Sequence, residues 1–148
     1  KYGMECKNKF VAEWFELNLN INNILTALTC RKYGWDIKSA IVGDNVVAET
    51  IRSSVSARDF NLKAEIDYFD ALVSISETSN LLDREHRIDA LKWNWLEENT
   101  FFSSFSIEKV LSFWLRCELM HRWDNLTMEE GAEIFRQMIN DLKKDVKF

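Results

Sequence analysis

The sequence predicts an all-α fold of about six helices. The chain has 148 residues and no proline, which favours helices joined by short turns over a hairpin-rich architecture. Apolar residues recur at intervals of three and four, the period of an amphipathic helix. No apolar–polar alternation typical of a strand runs longer than four residues. We therefore expect a single all-helical domain over residues 1–148, and the start at Lys1 rather than Met suggests the C-terminal fragment of a longer protein.

The first predicted helix is the best defined. Gly34 suits a left-handed C-terminal cap, and Trp35 is placed to fold back on the last turn. After a short mixed segment, Asp44 is expected to cap a second helix that runs to Val55. The apolar stripe of the first helix comprises Phe10, Trp14, Leu17, Ile21, Ile24 and Leu28.

Four further patterns predict the remaining helices. A stripe from Leu62 to Val73 predicts the third, Asn80 caps the fourth, and Ser106 caps the fifth. A capping box over residues 127–130 begins the sixth. The first and fifth helices carry the most continuous stripes, so we expect them to pack centrally. The predicted core comprises Trp14, Leu17, Ile21, Ile24, Leu28, Ile88, Leu91, Val110, Leu111, Trp114, Phe135 and Ile139.

Composition and charge exclude several classes of protein. Aromatic residues make up 13% of the chain, unlike disordered sequences. The net charge is −5 with both signs interleaved, so no basic face indicates nucleic-acid binding. No segment approaches the ~20 apolar residues of a membrane span. The three cysteines lack CxxC spacing, which is typical of reduced thiols in the cytosol.

No pattern of chemically active side chains indicates catalysis. Cys117 and His121 share a helical face, but zinc requires at least three protein ligands and His86 lies on another predicted helix. The carboxylates are scattered along helices, and residues 43–45 lack the glycines and lysine of a phosphate loop. We therefore expect no catalytic residue, no metal, no nucleotide or other cofactor, and no small-molecule ligand.

One run of residues resembles a known family. Asn-Ile, a Leu-rich turn, Arg-x-x-Gly and Asp follow one another in the order found in the C/d-type subunits of V-type ATPases (the AC39-like family). The turn at residues 41–44 and the helix at residues 106–123 are similar to later parts of that family, and the likeness is closest to bacterial members associated with V-type ATPase genes. The residues that carry the first motif are Asn23, Ile24, Leu25, Leu28, Arg31, Gly34 and Asp36.

The resemblance implies a non-catalytic coupling subunit of a cytoplasmic rotary ATPase that translocates protons or sodium ions. Such a protein contacts the central stalk and the cytoplasmic face of the rotor ring without spanning the membrane. A free-standing helical adaptor and a helical enzyme of unrecognised chemistry remain alternatives. An enzyme requires a concave pocket with convergent polar groups, whereas a coupling protein requires a wide surface for partners.

The candidate partner-binding residues lie on the expected outer flanks of the first and fifth helices. Four asparagines crowd the middle of the first helix, which suggests amide hydrogen bonds to other backbone or to a partner, although exposed positions explain them equally well. Arg and Trp are enriched at interface hot spots. Simple exposure to solvent or an internal structural role is the alternative for each of the seven. The candidates are Asn18, Asn22, Arg31, Lys32, Arg116, Arg122 and Trp123.

Overall fold

The all-α prediction is confirmed. A computed structural model describes residues 3–124 and 128–145, without the side chains of residues 128–130, 142 and 145, and within these ranges it contains seven helices and no strand. The helices are α1 (Lys9–Tyr33), α2 (Ile37–Ala40), α3 (Val46–Ser53), α4 (Phe69–Ser76), α5 (Leu81–Thr100), α6 (Ile107–Asp124) and α7 (Met128–Asp145).

The chain divides into two compact units. Unit 1 comprises Lys1–Trp95 and unit 2 comprises Leu96–Phe148, so the boundary falls within α5. Among the described residues, no helix combines the length and apolar character needed to cross a membrane.

Helix α1 is the scaffold of unit 1. It begins after Asn8, whose side chain accepts a hydrogen bond from the Val11 N–H at 3.1 Å. It ends at Gly34, whose φ of 71° confirms the predicted left-handed cap, and the Trp35 N–H then donates to the Cys30 carbonyl. Its apolar stripe packs against α2, α3 and α4.

The core of unit 1 contains most of the predicted members. Leu17, Ile21, Ile24 and Ile88 are buried, which confirms their assignment to the core. The side chains that are partly buried against this core include Trp14, Leu28, Leu91 and Trp95. The ring of Trp95 also stacks on Phe10, with centroids 5.6 Å apart.

The second predicted helix is shorter than expected and begins later. Asn45, rather than Asp44, provides the N-terminal cap of α3 by accepting a hydrogen bond from the Ala48 N–H. The helix ends at Ser53, before Val55. The mixed segment before it contains the single-turn α2, capped by Asp36.

The third predicted helix exists as α4, but it begins at Phe69 rather than at Leu62, because the chain turns repeatedly over residues 61–68. Leu62 and Ile66 are nevertheless buried. Phe60 and Asn61 adopt φ angles of 51° and 58°, which a right-handed helix does not allow. The turns therefore bury the predicted apolar residues without helical geometry.

The N-terminal caps predicted for the fourth and fifth helices are confirmed. The Asn80 side chain accepts hydrogen bonds from the backbone N–H groups of Leu82 and Asp83 at the start of α5. The Ser106 hydroxyl accepts from the Lys109 N–H at the start of α6. The capping box predicted at residues 127–130 lies outside the described side chains.

In unit 2, α6 turns a polar face rather than its apolar face towards α5. The buried Thr100 and Ser112 hydroxyl oxygens lie 3.3 Å apart, and each hydroxyl donates to the Leu96 carbonyl. The predicted core positions Val110 and Trp114 are wrong, because these side chains are 62% and 57% exposed.

The same correction applies to α7, where Phe135 is 63% exposed instead of buried. Leu111 and Ile139 are half-buried. Exposure of α6's apolar stripe also contradicts the central position predicted for the fifth helix. Amphipathic spacing identified the apolar faces correctly, but it does not determine which face meets a neighbouring helix.

Candidate interaction surface

An asparagine of α1 holds the loop over residues 41–45 in place. The Asn23 Nδ2 donates to the Val42 carbonyl at 2.8 Å, and the Val42 N–H donates to Asn23 Oδ1 at 3.1 Å. The buried Asn23 side-chain amide therefore hydrogen-bonds to both the N–H and the carbonyl of Val42, as the backbone of a neighbouring strand would. This confirms the expectation that an asparagine of the first helix meets other backbone.

A second polar cluster fixes the end of the loop. The Asn45 Nδ2 donates to Asn20 Oδ1 at 2.7 Å and to Glu16 Oε1 at 3.3 Å. Burial raises the pKa of the Tyr68 hydroxyl, the Asn20 side chain opposes this rise, and the Glu16 carboxylate adds to it. The cluster thus connects α1, the start of α3 and the residue that precedes α4.

An arginine of α3 binds the middle of the loop. The Arg52 Nη2 donates to the carbonyls of Ile41 and Gly43, and its Nη1 forms an ion pair with Glu49. Gly43 has a φ of 86°, and a Cβ there would lie 3.0 Å from a side-chain carbon of Leu19. Both the backbone angle and the space therefore favour glycine.

The loop backbone is bound internally, whereas several of its side chains are exposed. Val42 and Val46 are 66% and 71% exposed, and Asp44 lies exposed between them in the sequence. Asn22, a predicted partner-binding residue, is exposed on α1 next to Asn23 in the sequence. We call Asn22, Val42, Asp44 and Val46 the loop surface. Its backbone conformation is set by the scaffold, so these side chains are presented in a defined arrangement.

Arg31, also predicted to bind a partner, hydrogen-bonds to the chain's own backbone, and its partner-binding role stays a prediction. Its Nη1 donates to the Arg58 carbonyl, and its Nη2 donates to the carbonyls of Val55 and Ala57 at 2.6–3.1 Å. Its guanidinium lies 3.7 Å from the centre of the Phe60 ring. Burial lowers the pKa of Arg31, and nearby Asp59 acts in the opposite direction.

Gly34 and Asp36 also have structural roles, because they cap helices. Gly34 caps α1, and Asp36 caps α2 by accepting hydrogen bonds from the backbone N–H groups of Lys38 and Ser39. Hydrogen bonds from the Ser39 side chain and the Lys38 backbone lower the pKa of the Asp36 carboxyl. Together with Asn23 and Arg31, these residues of the motif organise the turns that follow α1.

The other predicted partner-binding residues are distributed over both units. In unit 1, Asn18 donates to the Trp14 carbonyl at 2.8 Å, and Lys32 is exposed with its ammonium 5.7 Å from the centre of the Tyr33 ring. The seven candidates therefore do not form one site within either unit.

In unit 2, the predicted residues lie along α6. Arg116 forms an ion pair with Glu97 at 3.1 Å. Arg122 is exposed above the half-buried Trp123, with its guanidinium 5.5 Å from the ring centre. Their partner-binding role stays a prediction.

The sequence prediction missed most residues that shape the loop. Asn45 and Arg52 were not singled out as site residues, and Asn20 was noted only as one of the four asparagines in the middle of the first helix. Asn45 was one residue beyond the predicted cap. Arg52 had no local signal, because its carbonyl partners lie nine and eleven residues away.

The described residues offer no assembled metal site. Cys117 is half-buried and His121 is exposed. No three His, Cys, Asp or Glu side chains within the described ranges lie in an arrangement that could hold a metal ion.

Comparisons with known proteins yield one match. Residues 1–146 match the family described as "Protein of unknown function (DUF2764)". No curated protein and no solved structure matches the chain.

Proposed function

The chain belongs to the DUF2764 family, and we propose that it is a non-catalytic coupling component of a cytoplasmic V-type rotary ATPase, similar to the C/d-type subunits of the central stalk. Its partners on this proposal are other ATPase subunits, at the central stalk and at the cytoplasmic face of the rotor ring. It acts by protein–protein contact and lies peripheral to the membrane through the complex.

The internally bound loop is the observation that carries this proposal. The side chains of Asn23 and Arg52 hydrogen-bond to the backbone of residues 41–43, while the side chains of Val42 and Val46 remain exposed. Ordering a flexible loop on association costs free energy, and a loop already ordered avoids much of that cost. The loop surface is thus suited to binding another protein.

The roles of the motif residues agree with this proposal. Asn23, Arg31, Gly34 and Asp36 bind backbone or end helices. In the C/d-type family, to which the motif is similar, the expected role is likewise structural. The resemblance suggests which partner binds, and the ordered loop with exposed side chains supports a surface for that partner.

A binding assay with purified V-type ATPase subunits from the native organism tests the proposal. The double variant Val42→Asp/Val46→Asp introduces two charges on exposed positions, so it should remain folded and bind central-stalk or rotor proteins at least tenfold more weakly. Desolvating these carboxylates against an apolar partner accounts for the loss. Circular dichroism checks folding.

Leu81→Asp is the matched control, because Leu81 is as exposed as the two valines but lies at the start of α5. This variant should bind like the parent chain. If the parent chain binds no ATPase subunit, the ATPase assignment is wrong and the free-standing adaptor is favoured. If it binds and the valine variant binds equally well, the loop surface is not the contact.

A further inference from the structure

Unit 2 exposes an apolar stripe along the whole of α6. Because Ser112 and Thr100 form the seam with α5, the opposite face of α6 points away from it. Its exposed apolar side chains share one face at helical spacing. They are Ile107, Val110, Phe113, Trp114 and Met120.

Helix α7 also exposes an apolar stripe. Ile134, Phe135 and Met138 are each more than half exposed, and Ile139 is half-buried. An amphipathic helix in water gains stability by covering its apolar stripe against another element. Within one copy of the chain, these two stripes do not cover each other.

We propose that a second copy of this chain covers them, so that α6 of each copy packs antiparallel against α7 of the other. Such an arrangement is a two-fold interface in which the same pair of surfaces meets twice. The two helices match in length, since each has 18 residues. The proposal concerns unit 2 and is independent of the loop surface in unit 1.

The exposed area is sufficient for a stable dimer. Eight apolar side chains of α6 and α7 are half exposed or more. A fully buried aromatic side chain covers about 150–250 Å². Because five of the eight are not aromatic and all are only 50–63% exposed, each offers roughly 100 Å², or about 800 Å² per copy. A standard protein–protein interface buries about 800 Å² on each partner.

Charge complementarity selects the antiparallel direction. Glu118 borders the stripe of α6 and Arg136 borders the stripe of α7, and both side chains are exposed. An antiparallel alignment with Trp114 beside Met138 brings Glu118 within about one helical turn of Arg136 in the other copy. If the two helices were instead parallel with their ends level, Glu118 would lie near Asp141, which carries the same charge.

The oligomeric state of the purified chain tests the proposal. Sedimentation equilibrium should give twice the 17.5 kDa mass of one chain at micromolar concentration. Trp114→Glu and Phe135→Glu should each give a monomer with unchanged helical circular dichroism. Phe102→Glu is the matched control, because Phe102 is exposed but precedes α6, and it should remain a dimer. A monomeric parent chain overturns the proposal.

Charge reversal tests the direction of packing. Glu118→Arg and Arg136→Glu should each raise the dissociation constant of the dimer about tenfold, because each substitution occurs twice in the interface. The double variant should return to within about threefold of the parent chain. Independent, additive effects of the two reversals contradict the antiparallel pairing.

A cross-link distinguishes a second copy from α7 folding back on its own α6. The antiparallel alignment places Cys117 opposite position 135, so Phe135→Cys in a Cys6→Ser background offers a disulfide between α6 and α7. Loss of free thiols with a dimer band on a non-reducing gel supports the proposal. Loss of thiols in a monomer band overturns it, as does the absence of a cross-link under oxidation.

Discussion

Asparagine side chains replace backbone partners in unit 1. Asn23 is buried and binds both the N–H and the carbonyl of Val42, while Asn45 caps α3 and also binds Asn20. An amide offers a donor and an acceptor on one short side chain, so it can satisfy irregular backbone that has no strand beside it.

Replacing Asn23 tests this role. Asn23→Ala removes two hydrogen bonds and leaves the Val42 backbone unsatisfied, so the free energy of unfolding should fall by about 2–3 kcal/mol. Asn22→Ala, the exposed neighbour, should change it by less than about 0.5 kcal/mol. Urea denaturation measures both values, and equal values for the two variants would refute the role assigned to Asn23.

Tyr68 makes the stability of unit 1 sensitive to alkaline pH. Burial raises the pKa of its hydroxyl in the folded chain, so the folded state holds this proton more tightly than the unfolded state. The stabilising contribution is complete below the unfolded pKa of about 10. It is lost as pH rises from that value through the higher folded pKa.

Tyr68→Phe should therefore reduce the loss of stability above about pH 10 relative to the parent chain. Denaturation at a series of pH values between neutral and alkaline measures the difference. Tyr33→Phe, at an exposed tyrosine, is the comparison, and its effect should be smaller than that of Tyr68→Phe, because Tyr68 packs partly buried against the core. An identical slope for Tyr68→Phe and the parent chain contradicts this account.

At the scale of elements, α1 and α6 have similar apolar periodicity but different surroundings. The stripe of α1 is covered by α2, α3 and α4, which follow it in the chain. The stripe of α6 is exposed, because the small side chains of Thr100 and Ser112 form its contact with α5. Periodicity defines an apolar face, and only the neighbouring elements decide its burial.

Substitutions in the core of α1 should lower the free energy of unfolding more where the replaced side chain is more deeply buried. Ile24 is fully buried, so Ile24→Ala should lower the free energy of unfolding by about 2–5 kcal/mol. Leu28 is only partly buried, and Leu28→Ala should cost less because fewer contacts are lost. Thermal and urea unfolding measure both. A greater loss for Leu28→Ala would contradict the packing of α1.

At the scale of the whole molecule, unit 1 has one continuous core that joins α1 to α4 with the buried turns between α3 and α4. A shared core predicts that these elements unfold together. Ile24→Ala should therefore speed amide hydrogen exchange in α1, α3 and α4 to a similar degree. Mass spectrometry of exchanged peptides measures this, and acceleration confined to α1 would contradict a cooperative unit.

Local chemistry made several boundaries predictable from sequence. Gly34 ends α1 through its positive φ, while Asn80 and Ser106 cap α5 and α6 through their own side chains. Each signal involves residues within a few positions, so no knowledge of the fold is needed. The loop surface was only partly predictable, since Asn22 was named while Val42 and Val46 were not.

The sequence by itself determined the all-α class, the long first helix and most of its buried stripe, because helical periodicity and capping act over short distances. Tertiary structure alone decided that residues 54–68 turn, since Arg31 binds three carbonyls 24–27 positions ahead of it. It also decided that α6 meets α5 through Ser112 rather than Trp114. A helical stripe gains stability against any apolar surface that is available, and which surface is available depends on the path of the whole chain.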